Sequence, residues 1–371
     1  MKKALKLQRG HLTIGKPLPW NVYDVASQLL LSRGFVIERE SQLTGLLERG
    51  MFIDAADLDP AQEKPVVKNY DPFWLWDELA AKLSYQLGHP SSELGFAQRI
   101  IDISRLVQAL GQRNADTVLA IIMLTVDHRR YTTVHSLQSA VLCDLVATRL
   151  GWDKARRLNI ICAALTMNIG MLELQQQLTN QRTPLTDEQK RLVHLHPEQS
   201  VDILRRAGVD SSEWLATVED HHETANGSGY PRGISELKEE AALLRTLDVY
   251  CAKISPRMHR KPMSGTQAER VLFSETGMAS DNPYIPSLIK EIGVYPPGTF
   301  VKLINGETAI VHKRSASINT PQVMSLINSK GIPLIEPIRR DTSREEYKIV
   351  HDVPRDSILI TINPAKIWTE T

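Results

Sequence analysis

The sequence predicts a mainly α-helical protein: a helical core carrying a small β-containing domain at its N-terminal end and a small β-containing extension at its C-terminal end. Three observations lead there. Short apolar runs broken by glycine and proline open the chain, apolar residues then recur at helical spacing over some two hundred residues, and a strand code with a hairpin signal closes it. A chain of 371 residues is long enough for two or three cores.

From Leu12 to Phe52 the apolar runs are punctuated by Gly15, Pro17, Pro19, Gly34 and Gly50, which predicts small strands with turns and a short helix over Ser41–Leu47. Residues 1–55 are therefore assigned to the N-terminal domain. Residues 56–72 are proline-bearing, polar and aperiodic, and read as a linker. Helices follow over 73–275. Ile100, Ile103, Val107 and Leu110 share one helical face, as do Val118, Ile121 and Ile122, and again Leu137, Val141, Leu145 and Val146. Gly151 and Gly208 are stop signals, and Thr186 with Gln189 is a capping-box start for the segment leading to His194. The C-terminal extension, residues 290–371, holds Phe300–Ile304 and Glu307–His312 around Asn305-Gly306, the signature of a hairpin with a type I′ turn.

Composition excludes several classes. Hydrophobic residues make up 42% and charged residues 23%, the balance of an ordinary globular protein. With 44 basic and 43 acidic side chains no long-range field favours a nucleic-acid polymer, so a phosphate ligand would have to be held locally. Cys143, Cys162 and Cys251 show no C-x-x-C spacing and sit among apolar residues, as reduced core thiols do. Met1-Lys2-Lys3 is not followed by an apolar signal region, and the most apolar stretch, Leu158–Leu172, is too short to span a bilayer. A cytoplasmic protein with no membrane span is expected.

Histidine is the informative residue. Seven of the 11 histidines lie between His128 and His259, in helices that otherwise need apolar side chains. The sharpest local feature is His221-His222-Glu223 followed by Asn226-Gly227-Ser228-Gly229-Tyr230-Pro231. Adjacent helical residues project about 100° apart, so both histidines reach one cleft only near a helix end. The glycine-rich turn beyond is suited to bringing backbone N–H groups close to a phosphate, or is simply a turn.

The run H-H-E-x-x-x-G-S-G-Y-P resembles the signature of the HD-GYP branch of the HD phosphohydrolases. His135, His196 in His196-Pro197, and Asp248 in Leu247-Asp248-Val249 fall in the order of that family's metal ligands, over residues 95 to 275. The resemblance implies a helical HD domain. In that family a di- or trinuclear iron, manganese or similar centre activates a water that hydrolyses cyclic di-GMP. Its pivotal H-D-x-G-K motif stands here as Met167-Asn168-Ile169-Gly170-Met171, and the second acid of D-V-x-D-A is Cys251. Methionine is a soft ligand unsuited to hard divalent ions, asparagine cannot bridge two cations, and Met171 brings no charge to a phosphate.

By carry-over, His196, His221 and His222 surround one metal position, while the other keeps only His135 and Asp248. Gly229, Tyr230 and Pro231, with Arg257 and Arg260, occupy the substrate-binding positions. Tyr230 stacks on a base or closes the turn, and the two arginines meet phosphates or form a solvated helix end. The expectation is a bacterial cyclic di-GMP signalling protein with a degenerate phosphodiesterase domain. It is weakly active or inactive, holds one divalent ion (Fe, Mn or Zn) or none, and acts by binding nucleotide or a GGDEF-type partner. The alternative is an active phosphodiesterase with a mononuclear three-histidine site.

Overall fold

A computed structural model describes residues 71–92, 95–125, 130–257, 262–274 and 282–368, and within 1–70 describes 4–6, 15, 18, 21–25, 29–31, 35–37, 40–48 and 52–54. Pro17, Pro19, Gly34, Gly50, linker residues 56–70, His128, His259 and Arg260 lie outside these. The chain divides into two compact units, Met1–Tyr70 and Asp71–Thr371.

The first unit carries β1 (Ala4–Lys6), β2 (Val22–Tyr23), β3 (Leu29–Leu31), α1 (Glu40–Glu48) and β4 (Phe52–Asp54). Its antiparallel sheet has the order β1-β4-β2-β3, with Leu5 opposite Ile53 and Tyr23 opposite Phe52. Leu18, Val22, Ile37 and Leu43 form its core.

The second unit opens on α2 (Pro72–Gly88), where Pro72 takes the first helical position and the Asp71 side chain accepts the Phe73 N–H at 2.9 Å. Asp71 and Pro72, expected in the linker, thus begin the helix. α3 (Phe96–Arg113) buries Ile100, Ile103, Val107 and Leu110, as its spacing predicts, and α4 (Ala115–Leu124) follows. α5 (Tyr131–Arg149) is buried along nearly all its length and packs against α2, α3 and the later helices, so it is the central helix of the unit.

α6 (Lys154–Thr166) and α7 (Leu172–Asn180) are separated by a 3-10 turn over Ile169–Met171. Residues 154–180 are long and apolar enough to cross a membrane by composition, but they are broken at that turn, and most of their most apolar window is buried within the fold. The break is fixed by a close approach. A Cβ on Gly170 would lie 2.8 Å from both His196 O and Ser200 N, so only glycine lets the turn sit against α8 (Asp187–Arg206). Ser200 Oγ fastens the contact by donating to Met167 O at 2.8 Å and accepting the Gly170 N–H at 3.0 Å. α8 begins with the expected capping box at Thr186 and Gln189.

α9 (Ser212–Asp220), α10 (Glu239–Ile254), α11 (Gly265–Ser274) and α12 (Tyr284–Ile292) complete the helices. α12 lies beyond residue 275, where the helical region was expected to end. Ile285, Leu288 and Ile292 form its buried face.

β5 (Phe300–Leu303), β6 (Thr308–Lys313), β7 (Gln322–Ile327), β8 (Pro333–Asp341) and β9 (Ile349–Val353) form an antiparallel sheet of order β8-β7-β6-β5-β9, and α13 (Ala365–Trp368) covers one face with Ile367 and Trp368. The β5–β6 hairpin is present, but its turn differs from the expected type I′. The Gly306 N–H bonds to Leu303 O at 2.9 Å, so Ile304 and Asn305 are the central pair, and Gly306 follows with φ of 85°, the pattern of a three-residue hairpin loop with a bulge. The sheet packs on the helices through Phe300 and Ile310 against Ala120. Arg314 ties it down by pairing with Asp116 of α4 and Glu291 of α12.

Candidate metal centre

Three imidazoles, His196, His221 and His222, offer ligand atoms that all lie within 4.8 Å of one another. Their arrangement follows from local helix chemistry. Pro197 sits inside α8 and has no N–H for the carbonyl four residues back, which is Val193. His196 Nδ1 donates to that carbonyl at 2.6 Å. α9 ends at Asp220, so the Val218 carbonyl is one of the last-turn acceptors without a helical donor, and His221 Nδ1 donates to it at 2.6 Å.

Carbonyl oxygens only accept, so both rings carry their proton on Nδ1 and leave Nε2 as a lone pair. The two Nε2 atoms face each other at 3.2 Å. A hydrogen bond between them needs an imidazolium, and the surroundings oppose one. Burial, then the neighbouring His221, push His196 down to about 3, and burial likewise lowers His221. Two neutral rings with opposed lone pairs suit a cation between them. Nitrogens sharing one tetrahedral zinc-like ion stand about 3.3 Å apart, given bond lengths of about 2.05 Å. The donor set therefore fits one metal, held by His196, His221 and half-buried His222, whose own protonation is held low by burial and by His221.

The second position is built differently. His135 of α5 and Asp248 of α10 are both buried, and His135 Nε2 donates to Asp248 Oδ1 at 2.7 Å. Burial disfavours the Asp248 charge, but the His135 bond and charge outweigh it and hold the carboxyl well below its usual range. Asn168 stands where the family has its bridging acid, and its buried Oδ1 finds no donor among the described residues. Met167 is wholly buried, and Cys251 is likewise a core thiol. One neutral amide oxygen beside a hydrogen-bonded His–Asp pair does not supply the bridging carboxylate that a pair of cations needs.

A cavity of about 470 Å³ lies beside these groups, with His135, Asn168, Met171, His222, Tyr230 and Asp248 on its wall. His196 and His221 stand behind that wall. Arg257 also lines the cavity; its guanidinium donates to Tyr131 Oη at 3.1 Å and its Nε is buried without an acceptor among the described residues.

The glycine-rich turn uses two of its donors on itself: Gly227 N–H to Thr224 O at 2.8 Å and Ser228 N–H to Asn226 Oδ1 at 3.1 Å. Glu223, fully buried, accepts the N–H groups of Arg232, Gly233 and Ile234 at 2.7, 3.0 and 3.1 Å. A Cβ on Gly229 would lie 2.5 Å from Glu223 Cα, so Gly229 serves to fold the turn back onto the histidine segment, and the Tyr230-Pro231 peptide is cis.

The Tyr230 ring stacks on His194 at 4.3 Å and on His222 at 4.6 Å. No His194–His222 ring contact accompanies these among the described residues, so the two imidazoles take opposite faces. Only the edge and hydroxyl of Tyr230 face a ligand, which removes base stacking by this ring. Sequence reasoning missed His194, the clamp formed by Glu223, and the part Pro197 plays; the H-P pair was the available signal for the last.

Comparison with known proteins agrees with this architecture. Residues 93–281, half of the chain, match the HD domain family. The chain is 26% identical over 247 residues to the cyclic di-GMP phosphodiesterase PA4108 of Pseudomonas aeruginosa, covering 64% of this chain and 58% of that protein. It is 28% identical over 169 residues to the 3'3'-cGAMP-specific phosphodiesterase 3 of Vibrio cholerae, covering 45% of this chain and 36% of that one. The chain thus spans little more than half, or less, of the length of these curated relatives. Among solved structures, Bd1817, an HDG"Y"P protein from Bdellovibrio bacteriovorus, superposes with a TM-score of 0.50 at 17% identity, over 77% of this chain and 98% of that one, which is a likeness of fold. With the three-histidine cluster and the G-Y-P turn in place, the chain belongs to the HD domain family, in its HD-GYP branch.

Proposed function

We propose that this protein is a cyclic di-GMP signalling protein that binds the nucleotide in the His222-walled cavity and hydrolyses it weakly or not at all. The observation that carries the reading is Asn168: a neutral amide lines the cavity where two cations need a bridging carboxylate, while His135 and Asp248 satisfy each other. Named relatives acting on cyclic dinucleotides support the ligand class, and both cyclic di-GMP and 3'3'-cGAMP appear among their substrates.

His196, His221 and His222 would hold one divalent iron, manganese or zinc ion. When bound, such an ion supplies Lewis acidity to a phosphoryl oxygen and lowers the pKa of a coordinated water. The protein's own groups orient the ligand. Arg257 meets phosphate oxygens with a planar fork, Tyr230 offers its edge, and Leu178, Pro184 and Leu185 exclude water from the far wall. A second reading, hydrolysis at a mononuclear site, is favoured by the facing Nε2 atoms of His196 and His221. Docking of a GGDEF-type protein belongs to the binding reading as its downstream step.

The test is titration of purified protein with cyclic di-GMP by calorimetry, alongside incubation with added manganese or iron. Micromolar binding with no linear pGpG supports the reading. Release of pGpG at an ordinary enzymatic rate, about 1–1000 per second, overturns it.

A further inference from the structure

We infer that Arg182, in the connection between α7 and α8, is a phosphate-binding residue of the ligand cavity, acting together with Arg257. The inference rests on the cyclic dinucleotide reading above and names a contact within that site.

Charge balance carries the argument. Three residues of the cavity wall bear a full charge as a rule: Asp248, Arg182 and Arg257. Asp248 is tied to His135 at 2.7 Å. Arg257 is bonded to a neutral phenol, with its Nε buried and without an acceptor. Arg182 has no ion-pair or hydrogen-bond partner among the described residues. Several other arginines of the unit are neutralised: Arg149 by Glu291, Arg156 by Glu239 and Glu240, Arg157 by Asp144, and Arg191 by Glu188. Two uncompensated guanidinium groups facing one concave space favour an anion, and their planar forks match phosphodiester oxygens.

Arg182 is also held in place. Its neighbour Gln181 exchanges two amide hydrogen bonds with Gln189, at 3.0 and 2.7 Å, and donates to Thr183 O and Pro184 O at 3.1 Å each. Gln189 is itself half of the capping box that starts α8. The segment from Gln181 to Leu185 is thus pinned on both sides of Arg182 and lines the cavity throughout. A cation on a pinned segment loses less freedom when it binds. The position that the family fills with lysine is Met171, an uncharged side chain that also lines the cavity. Arg182 supplies to the same cavity the charge absent at Met171. A cyclic dinucleotide carries two phosphodiesters, which suits two separated guanidinium groups better than one.

The experiment is calorimetric titration of cyclic di-GMP into the full chain, wild type against Arg182→Ala and Arg182→Lys, at two salt concentrations. Loss of one charge-assisted contact predicts affinity weaker by about tenfold to a hundredfold in Arg182→Ala, partial retention in Arg182→Lys, and a shallower salt dependence in the alanine variant. Arg191→Ala, which removes an exposed partner of Glu188 one turn into α8, should bind as the wild type does and serves as the control. Thermal unfolding checks that each variant is folded, since exposed Arg182 has no folding contact to lose. Wild-type binding that Arg182→Ala leaves intact overturns this inference alone. Absence of binding by the wild type overturns the inference together with the function it rests on.

Discussion

His135 Nε2 and Asp248 Oδ1, contributed by α5 and α10, are hydrogen-bonded at 2.7 Å in a buried position. The carboxylate can only accept, so a proton lies on Nε2, and Nδ1 is buried with no hydrogen-bond partner among the described residues. His135 thus uses on Asp248 a nitrogen it would give to a cation, while Asp248 keeps its second oxygen.

One metal per chain follows from that pairing. Elemental analysis of protein loaded with manganese, iron or zinc should give one equivalent in the wild type and in His135→Ala. His221→Ala, which removes a central ligand of the three-imidazole set, should give none. Two equivalents in the wild type would contradict the assignment.

Restoring the missing acid should restore the second cation. In the double variant Met167→His/Asn168→Asp a carboxylate would enter the cavity near Asp248, and two negative groups there repel each other unless a cation lies between them. The expected result is a second equivalent of metal and the appearance of linear pGpG from cyclic di-GMP with added manganese. A folded double variant that stays at one equivalent and releases no pGpG would show that the defect lies elsewhere.

Much of this was legible in the residues themselves. The helical faces of α3, α4 and α5 are one-dimensional patterns, and so is the Thr186–Gln189 cap, because each depends on neighbours within a turn. The histidines His196, His221 and His222 converge as their order implied. What stayed hidden depends on the path of the backbone in space. Nothing local in His221-His222-Glu223 marks the role of Glu223, whose carboxylate gathers three N–H groups from nine to eleven residues further on. Tyr230 reads as a free aromatic because nothing local places His194 against it. The α12 helix was missed because Pro283 and Pro286 obscure a short apolar stripe.

Glu269 of α11 makes stability depend on pH. It is buried, its Oε1 has no donor among the described residues, and burial pushes its carboxyl up to about 8 from the usual 4.5. Between those values the folded chain keeps a proton that the unfolded chain loses, so rising pH favours unfolding. The stability tied to the protonated group is whole below about 4.5 and is lost as pH climbs through about 8. Glu269→Gln should abolish that decline and be more stable than wild type at pH 9, by an amount on the order of a few kcal/mol. Urea midpoints across pH 5 to 9 measure it; parallel curves for the two proteins would exclude Glu269 as the cause.

Pro197 should matter to the metal more than to the fold. Replacing it with alanine returns an N–H that competes for Val193 O, the acceptor that now fixes His196 Nδ1 at 2.6 Å. Alanine is also the better helix former, so thermal stability of the metal-free protein should hold or rise. The His196 ring, less firmly oriented, should bind its ion more weakly, by about the tenfold to hundredfold that loss of a ligand's supporting hydrogen bond costs elsewhere. Competition with a chromophoric chelator reads the affinity and calorimetry reads the melting temperature. Opposite signs in the two measurements separate this role from a simple packing defect, in which both would fall together.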